Sequence, residues 1–309
     1  MDVLDDILKT LDLRGAVYFR TDFSGCWATT VPDYENAARF HLVVQGRCHV
    51  VFPSGDHVEL AQGDMVLVPN GRRHVLSDSG LAKAPPLETV LSDAGYDGRG
   101  VLRLGAGDGA ASTQMVCGHF SFRKGAEHPV LSSLPEHVLV TASDRASQPW
   151  LDDTLKLVAQ HMFANAPGTS ATVTRLSEIV FVELIKSGIM DSTAAHDLMK
   201  AFRDPQIGNA LNCIHEQPGR DWSVQTLAQE IGMSRSRFSD RFSALVGVTP
   251  MKYLADWRMQ KALAALEQAR TSIQEIAFQS GYQSTAAFSR AFATKFGFPP
   301  SAMRRELVH

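Results

Sequence analysis

Cys117 and His119 stand two residues apart in the run Thr113–Phe122, a spacing that puts both side chains on one face of a β-strand. His41 lies in a second apolar run, His41–Val44, and His74 closes the glycine- and proline-punctuated stretch Gly63–His74. Together they make a sulfur and nitrogen donor set that suits zinc better than magnesium or calcium. His41, His74, Cys117 and His119 are therefore the candidate metal ligands, and zinc is the candidate cofactor, structural if all four bind and sensing if one ligand exchanges. A plainer use is open to the same residues. A strand histidine commonly hydrogen-bonds within the core, and a buried cysteine packs as a small hydrophobe. His49 and His57 are secondary donors, and Cys26 and Cys117 are the thiols on which an oxidant could act.

A second constellation lies near the C-terminus. Ser234, Arg235, Ser236, Arg237, Ser239 and Arg241 form one cluster, and Ser284, Thr285, Ala286, Ser289 and Arg290 form another. Arginine can bond guanine bidentately, hydroxyls reach base edges or phosphates, and a small alanine fits against a thymine methyl. That is chemistry for double-stranded DNA, provided that these residues share the free face of a helix.

The elements needed to position both sets can be read from periodicity and punctuation. Between residues 16 and 90, His41–Val44, His49–Phe52, His57–Leu60 and Met65–Val68 are short β-rich runs separated by turn residues, as in an antiparallel sandwich or small barrel. Residues 93–112 are rich in Gly, Ala and Asp without periodicity and read as a loop. Helical stretches follow near 148–164 and 170–188, broken at Asn165-Ala166-Pro167-Gly168. The second is apolar enough (Val173, Leu176, Ile179, Val180, Leu184, Ile185) to serve as core, as interdomain packing or as the seam of a homodimer. From 204 onward the pattern is helical, with Asp204-Pro205 as a start signal and Ile207, Leu211 and Ile214 on one buried face.

The last hundred residues repeat. Leu227-Ala228…Ile231-Gly232 aligns with Ile276-Ala277…Ser280-Gly281, and Phe238, Phe242, Gly247 and Pro250 align with Phe288, Phe292, Gly297 and Pro300. Each copy reads as a helix, a glycine turn and a second helix whose two Phe, four apart, anchor one face and free the other. The bridge Met251–Leu266 offers Leu254, Trp257, Ala262 and Leu266 for burial. A rigid bridge would hold the two free faces at one separation, and successive major-groove openings lie about 34 Å apart.

On these residues, 206–309 resembles the DNA-binding domain of AraC/XylS-type transcriptional regulators. The likeness rests on Trp222-Ser223-Val224, Met233-Ser234-Arg235-Ser236, Gly247-Val248-Thr249-Pro250, Gly281-Tyr282 and Gly297-Phe298-Pro299-Pro300. It implies that Arg258 braces the bridge helix or contacts backbone phosphate, and that the first unit supplies most base readout because Ala286 and Ala287 leave the second poor in hydrogen-bonding groups. Gly63–His74 matches the second motif of cupin barrels, G-x5-P-x-G-x2-H, whose final histidine often binds a divalent metal in that family. The first cupin motif is incomplete, because Arg39-Phe40-His41 keeps only the second histidine and no acid stands between His41 and Gly46. Residues 16–140 resemble the cupin sensor domains of some AraC-type regulators.

Composition agrees with this division. The 309 residues are 44% apolar and 20% charged, which excludes a collagen-like, coiled-coil or wholly disordered chain. Residues 206–309 carry 12 Lys and Arg against 8 acids, a net of +4; the rest carries 18 against 25, a net of −7. A basic module beside an acidic one points to a polyanion meeting only the C-terminal part. Four scattered cysteines suggest reduced thiols, Asp2, Asp5 and Asp6 lie where a signal peptide would be positive, and no apolar run approaches the ~20 residues that span a bilayer. A cytoplasmic location away from membranes is the expectation.

The sequence thus predicts a two-domain α+β protein: a cupin-like β-barrel over 1–145, helices over 146–203 suited to linking or dimerisation, and a DNA-binding domain with two helix-turn-helix units over 204–309. The expected function is sequence-specific transcriptional regulation and not catalysis, responsive to a small-molecule, metal or oxidant effector, with RNA polymerase as a further candidate partner. The alternative is a metal-dependent cupin enzyme with a fused helical domain, which the missing motif acid disfavours.

Overall fold

The computed structural model describes residues 2–81, 83–98, 100–105, 112–163, 169–187, 193–267 and 271–308. The chain opens with helix α1 (Val3–Leu11), capped by the Asp2 carboxylate on the backbone N–H groups of Leu4 and Asp5. Strands β1 (Arg14–Ser24), β2 (Ala28–Val31), β3 (Ala37–Gln45), β4 (Cys48–Val51), β5 (His57–Leu60), β6 (Met65–Val68) and β7 (His74–Ser77) follow. Then come α2 (Leu87–Asp93), β8 (Val101–Leu104), β9 (Ser112–Ser121), α3 (Pro129–Ser132), β10 (Val138–Val140) and helices α4 (Ala142–Ser147), α5 (Pro149–Phe163), α6 (Thr169–Ser187) and α7 (Thr193–Arg203). The expected β-runs at 41–68 are all present as strands. The expected loop over 93–112 contains β8, and 99 and 106–111 of it lie outside the described residues, as does the expected helix break at 165–168. The short α1, α2 and α7 escaped the periodicity reading.

The strands form a six-stranded sheet, β10-β6-β3-β9-β1-β8, and a four-stranded sheet, β2-β7-β4-β5. Among the described strands only the β1–β8 pairing is parallel. One apolar cluster joins inward residues of both sheets, including Phe23, Val43, Val50, Phe52, Val66, Leu76 and Met115, which is the layered core of a cupin-type barrel. Residues of opposite parity on the larger sheet face outward and meet the helices: Phe120 packs on Phe181 of α6 at 4.8 Å between ring centres. Two glycines of the motif stretch sit in left-handed backbone, Gly63 (φ +86°) and Gly71 (φ +59°). A Cβ on Gly71 would also collide with the carbonyl oxygens of Tyr34 and Ala37, which explains the glycine there.

The compact units cut across the expected boundary at 145. Leu13–Phe122 and Leu134–Asp191 make one unit; Met1–Asp12 and Arg123–Ser133 join Ser192–His309 in the other. Sequence position alone had put both short segments in the barrel domain. The reason for the correction is a set of specific contacts. Ile7 and Leu11 of α1 are fully buried, Arg123 pairs with Glu267, and Lys295 pairs with Glu127 at 2.7 Å.

That helical unit continues with α8 (Ile207–Glu216), α9 (Val224–Glu230), α10 (Arg235–Val246), α11 (Pro250–Leu266), α12 (Ile273–Gln279), α13 (Thr285–Phe296) and α14 (Pro300–Val308). Asp204 acts as the expected start signal: its carboxylate accepts from the N–H groups of Gln206 and Ile207. Helix α11 is buried on several sides, through Tyr253, Leu254, Trp257, Met259, Gln260, Ala262, Leu263 and Leu266. A continuous buried polar chain crosses it. The Val130 N–H donates to His128 Nδ1, so the other ring nitrogen, Nε2, carries the hydrogen and donates to Tyr253 Oη at 3.0 Å. Tyr253 Oη in turn donates to His215 Nε2 at 2.8 Å, and His215 Nδ1 donates to Asp6 at 2.9 Å. One donor fixes the tautomer of every group behind it.

Burial holds five histidines below the ordinary imidazole value: His41 and His128 well below it, His119 below it, His215 below it against the opposing pull of Asp6, and His74 down to about 4. Neutral buried imidazoles contribute stability that is fully present above the unfolded value near 6.5 and lost as pH falls towards the folded one. The denaturant midpoint should therefore fall between pH 7.5 and pH 5, with His74 alone accounting for on the order of 2 kcal/mol. A midpoint that stays flat across that window would contradict neutral burial.

Candidate functional site

The two repeated units are alike bond by bond. Ser223 caps α9 through the N–H of Thr226, and Ser272 caps α12 through that of Glu275. Both helices end in glycine turns with positive φ, +66° at Gly232 and +77° at Gly281. The turns are closed by matching bonds, Met233 N–H to Ala228 C=O and Tyr282 N–H to Ala277 C=O. Helices α10 and α13 then run for 12 residues each and stop at Gly247 and Gly297, left-handed at +81° and +80°. Phe238, Phe242, Phe288 and Phe292 are fully buried, so the opposite faces of α10 and α13 are turned outward.

On α10, Ser234, Arg235, Ser236 and Arg237 are exposed and Ser239 is half-buried. On α13, Ser284, Ala286 and Arg290 are exposed, with Thr285 and Ser289 half-buried. Among the described residues Arg235, Arg237 and Arg290 make no ion pair, which leaves three guanidinium groups on these faces. The capping serines differ. Ser284 accepts from the Ala287 N–H, whereas Ser234 makes no side-chain cap bond and keeps its hydroxyl for another partner. Two expected contacts are already in use. Arg241 pairs with Asp204 and donates to Gln206 Oε1 at 3.4 Å, which fastens α10 to the start of α8. Arg258 takes the bracing role, donating to the carbonyls of Pro218 and Arg220 at 2.7 and 2.8 Å.

In the barrel, cross-strand register places His41 of β3 opposite Cys117 of β9 and Arg39 opposite His119. His74 Nδ1 lies 2.8 Å from the Arg72 carbonyl, which can only accept, so that nitrogen carries the hydrogen and His74 Nε2 accepts. His41 Nε2 therefore donates to His74 at 2.8 Å, and Cys117 donates its S–H to His41 Nδ1 at 3.1 Å. Burial pushes the Cys117 thiol up to about 12, and Arg39 only partly offsets this. This is a neutral relay with an unreactive thiol. His119 lies beside Tyr34, at 5.9 Å between ring centres, under the same Arg39 that stacks on Tyr34 at 4.5 Å.

Three of the four donors, Cys117, His41 and His74, thus come together as a chain and not around a point, and His119 stands apart from them. Tetrahedral zinc at bonds of about 2.0–2.3 Å needs its ligand atoms within roughly 4 Å of one another. No three of His41, His74, Cys117 and His119 bring donors within 4.8 Å; among the described residues only Asp56, Glu136 and His137 do. The expected four-residue zinc site does not fit the geometry, because His41 spends both nitrogens on Cys117 and His74. The secondary candidates His49 and His57 bond to each other at 3.0 Å on the surface, and Cys26 is an exposed free thiol.

Comparison with known proteins bears on both units. Residues 2–189 match a family model described as Cupin, and residues 227–306 match one described as Helix-turn-helix domain. A putative AraC-like transcription regulator of Streptomyces lividans is similar at 30% identity, over 99% of this chain and 98% of that protein. The chain belongs to the AraC-like transcriptional regulators with a cupin domain. The HTH-type transcriptional regulator AlkR of Acinetobacter baylyi is similar at 29% identity over 99% of this chain and all of its own length. Among solved structures, the DNA-binding domain of AdpA in complex with a target DNA aligns at 30% identity and a TM-score of 0.31, covering 33% of this chain and 92% of that one.

In this AraC-like regulator the sequence reading located the exposed helical faces but missed what restrains them. The Asp204–Arg241 pair and the Tyr253 chain join residues far apart in sequence, and only the aspartate start signal hinted at either. Arg241→Ala should lower stability by no more than about 1 kcal/mol, because the pair is partly exposed, and should leave base preference unchanged. A chemical melt together with binding to single-base-substituted duplexes checks both.

Proposed function

We propose that this regulator reads two neighbouring major-groove segments, with α10 as the principal base reader and α13 as the weaker partner, under the control of an effector held by the cupin barrel. The observation that carries this reading is the division of α10: Phe238 and Phe242 are fully buried while Arg235, Ser236 and Arg237 face outward. Arg235 and Arg237 suit base edges or phosphates, and the free Ser234 hydroxyl adds a donor. Thr285, Ala286, Ser289 and Arg290 offer fewer strong base contacts, which favours indirect or backbone engagement by α13.

The barrel in this reading senses a ligand and does not turn one over. His41 and His74 are neutral and bonded to each other, and among the described residues no carboxylate joins them as a facial metal triad would require. The effector class is a small molecule, a metal ion bound elsewhere, or an oxidant acting at the exposed Cys26. A homodimer through α5 and α6 belongs to the same reading; Leu157 of α5 and Ile179 of α6 are exposed apolar residues on these helices. RNA polymerase is the partner through which a bound regulator would act on transcription.

If Arg235 or Arg237 reads a base, its alanine variant loses discrimination at that base pair by about 1–3 kcal/mol. Affinity measured against duplexes substituted one position at a time tests this. Equal weakening on every sequence would reassign that arginine to a phosphate.

A further inference from the structure

We infer that α1 is a working part of the DNA reader, with Asp6 as a positioning residue that locks the bridge helix α11 and so fixes α10 relative to α13. This rests on the reading that both helix-turn-helix units engage one duplex. Helix α11 is the covalent link between the two units, and any turn of α11 about its axis re-aims one recognition helix against the other. α1 packs on both α8 and α11. Asp6 is buried, and each of its carboxylate oxygens has a different partner: Oδ1 accepts from Lys261 Nζ of α11 at 3.0 Å, and Oδ2 accepts from His215 Nδ1 of α8 at 2.9 Å.

Apolar contact alone would not achieve this. Ile7 and Leu11 hold α1 on the unit by burial, which is non-directional and tolerates rotation. Charge-assisted hydrogen bonds from one rigid carboxylate to two helices do not tolerate it. Through His215 the restraint reaches the Tyr253 hydroxyl, a second point on α11 eight residues before Lys261, and through Tyr253 it reaches His128. Two fixed points more than two turns apart define the orientation of a helix, whereas one leaves it free to pivot. Gln260 Nε2, donating to the Gly125 carbonyl at 3.2 Å, adds a tie from the same side segment that carries His128.

The test uses the full chain and a duplex of roughly 30 base pairs, long enough for two sites one turn apart, selected from a randomised library by the wild type. A second duplex has one of the two sites scrambled. Asp6→Asn should weaken binding to the intact duplex about tenfold while leaving the scrambled duplex within about twofold, because one unit alone needs no fixed partner. Lys261→Gln, on the more exposed side of the pair, should give the same split if Asp6→Asn proves poorly folded. Hydrogen exchange of the amides of 250–266 in the free protein should speed up in both variants. Unchanged affinity for the intact duplex, a parallel loss on both duplexes in Lys261→Gln, or unaltered exchange along α11 would each overturn the role of Asp6. A wild type that selects no duplex would overturn the two-unit DNA reading itself, a failure visible before any variant is made.

Discussion

A tyrosine hydroxyl that takes a hydrogen from one imidazole and gives its own to another is the constraint on which the helical unit depends. Tyr253 spends its one hydrogen in that arrangement, and both ring nitrogens of the histidine on either side are engaged. Each group is buried, so each bond that is lost leaves an unsatisfied polar atom where water cannot replace it. The directional order of the chain follows from a single backbone N–H, that of Val130, because its donation decides which nitrogen of His128 is free to donate. Residues from the start of the chain, from the segment after β9, and from α8 and α11 are thereby held to one geometry.

On this frame the duplicated units share their turns and their buried anchors and differ in the chemistry of their outward faces. Ser223 and Ser272, the glycine turns and the buried phenylalanine pairs serve the same steric ends in both. The outward faces carry no such obligation. The first presents two arginines without an ion pair among the described residues and a serine that makes no cap bond; the second presents one such arginine, Arg290, with an alanine and a serine that spends its hydroxyl on its own helix. Arg241 and Arg258 belong to the frame: their guanidinium groups hold α10 to the start of α8 and α11 to the turn after it.

The barrel unit puts its polar residues to a comparable use. Cys117, His41 and His74 have the composition of a metal site and the geometry of a hydrogen-bond chain, terminated by the Arg72 carbonyl. The two outcomes differ by where lone pairs point. Ligands must aim at a common centre, whereas relay partners aim at one another, and donor identity alone cannot distinguish them.

Much of this was legible in the residues themselves. Strand runs, glycine turns, the start signal at Asp204 and the buried phenylalanines follow from local rules: period two or 3.6, left-handed glycine, and burial of aromatic surface. Repetition of the same signals about fifty residues apart located α10 and α13 and their outward faces. The sequence could place His41 and Cys117 on inward faces but not decide between convergence and relay, since that depends on side-chain direction across strands 76 residues apart. It could not place α1 with the C-terminal helices either, because Asp6 meets His215 and Lys261 across more than 200 residues and carries no local mark of that pairing. Local physics decided which elements form; only the packed chain decided which of their polar groups answer one another.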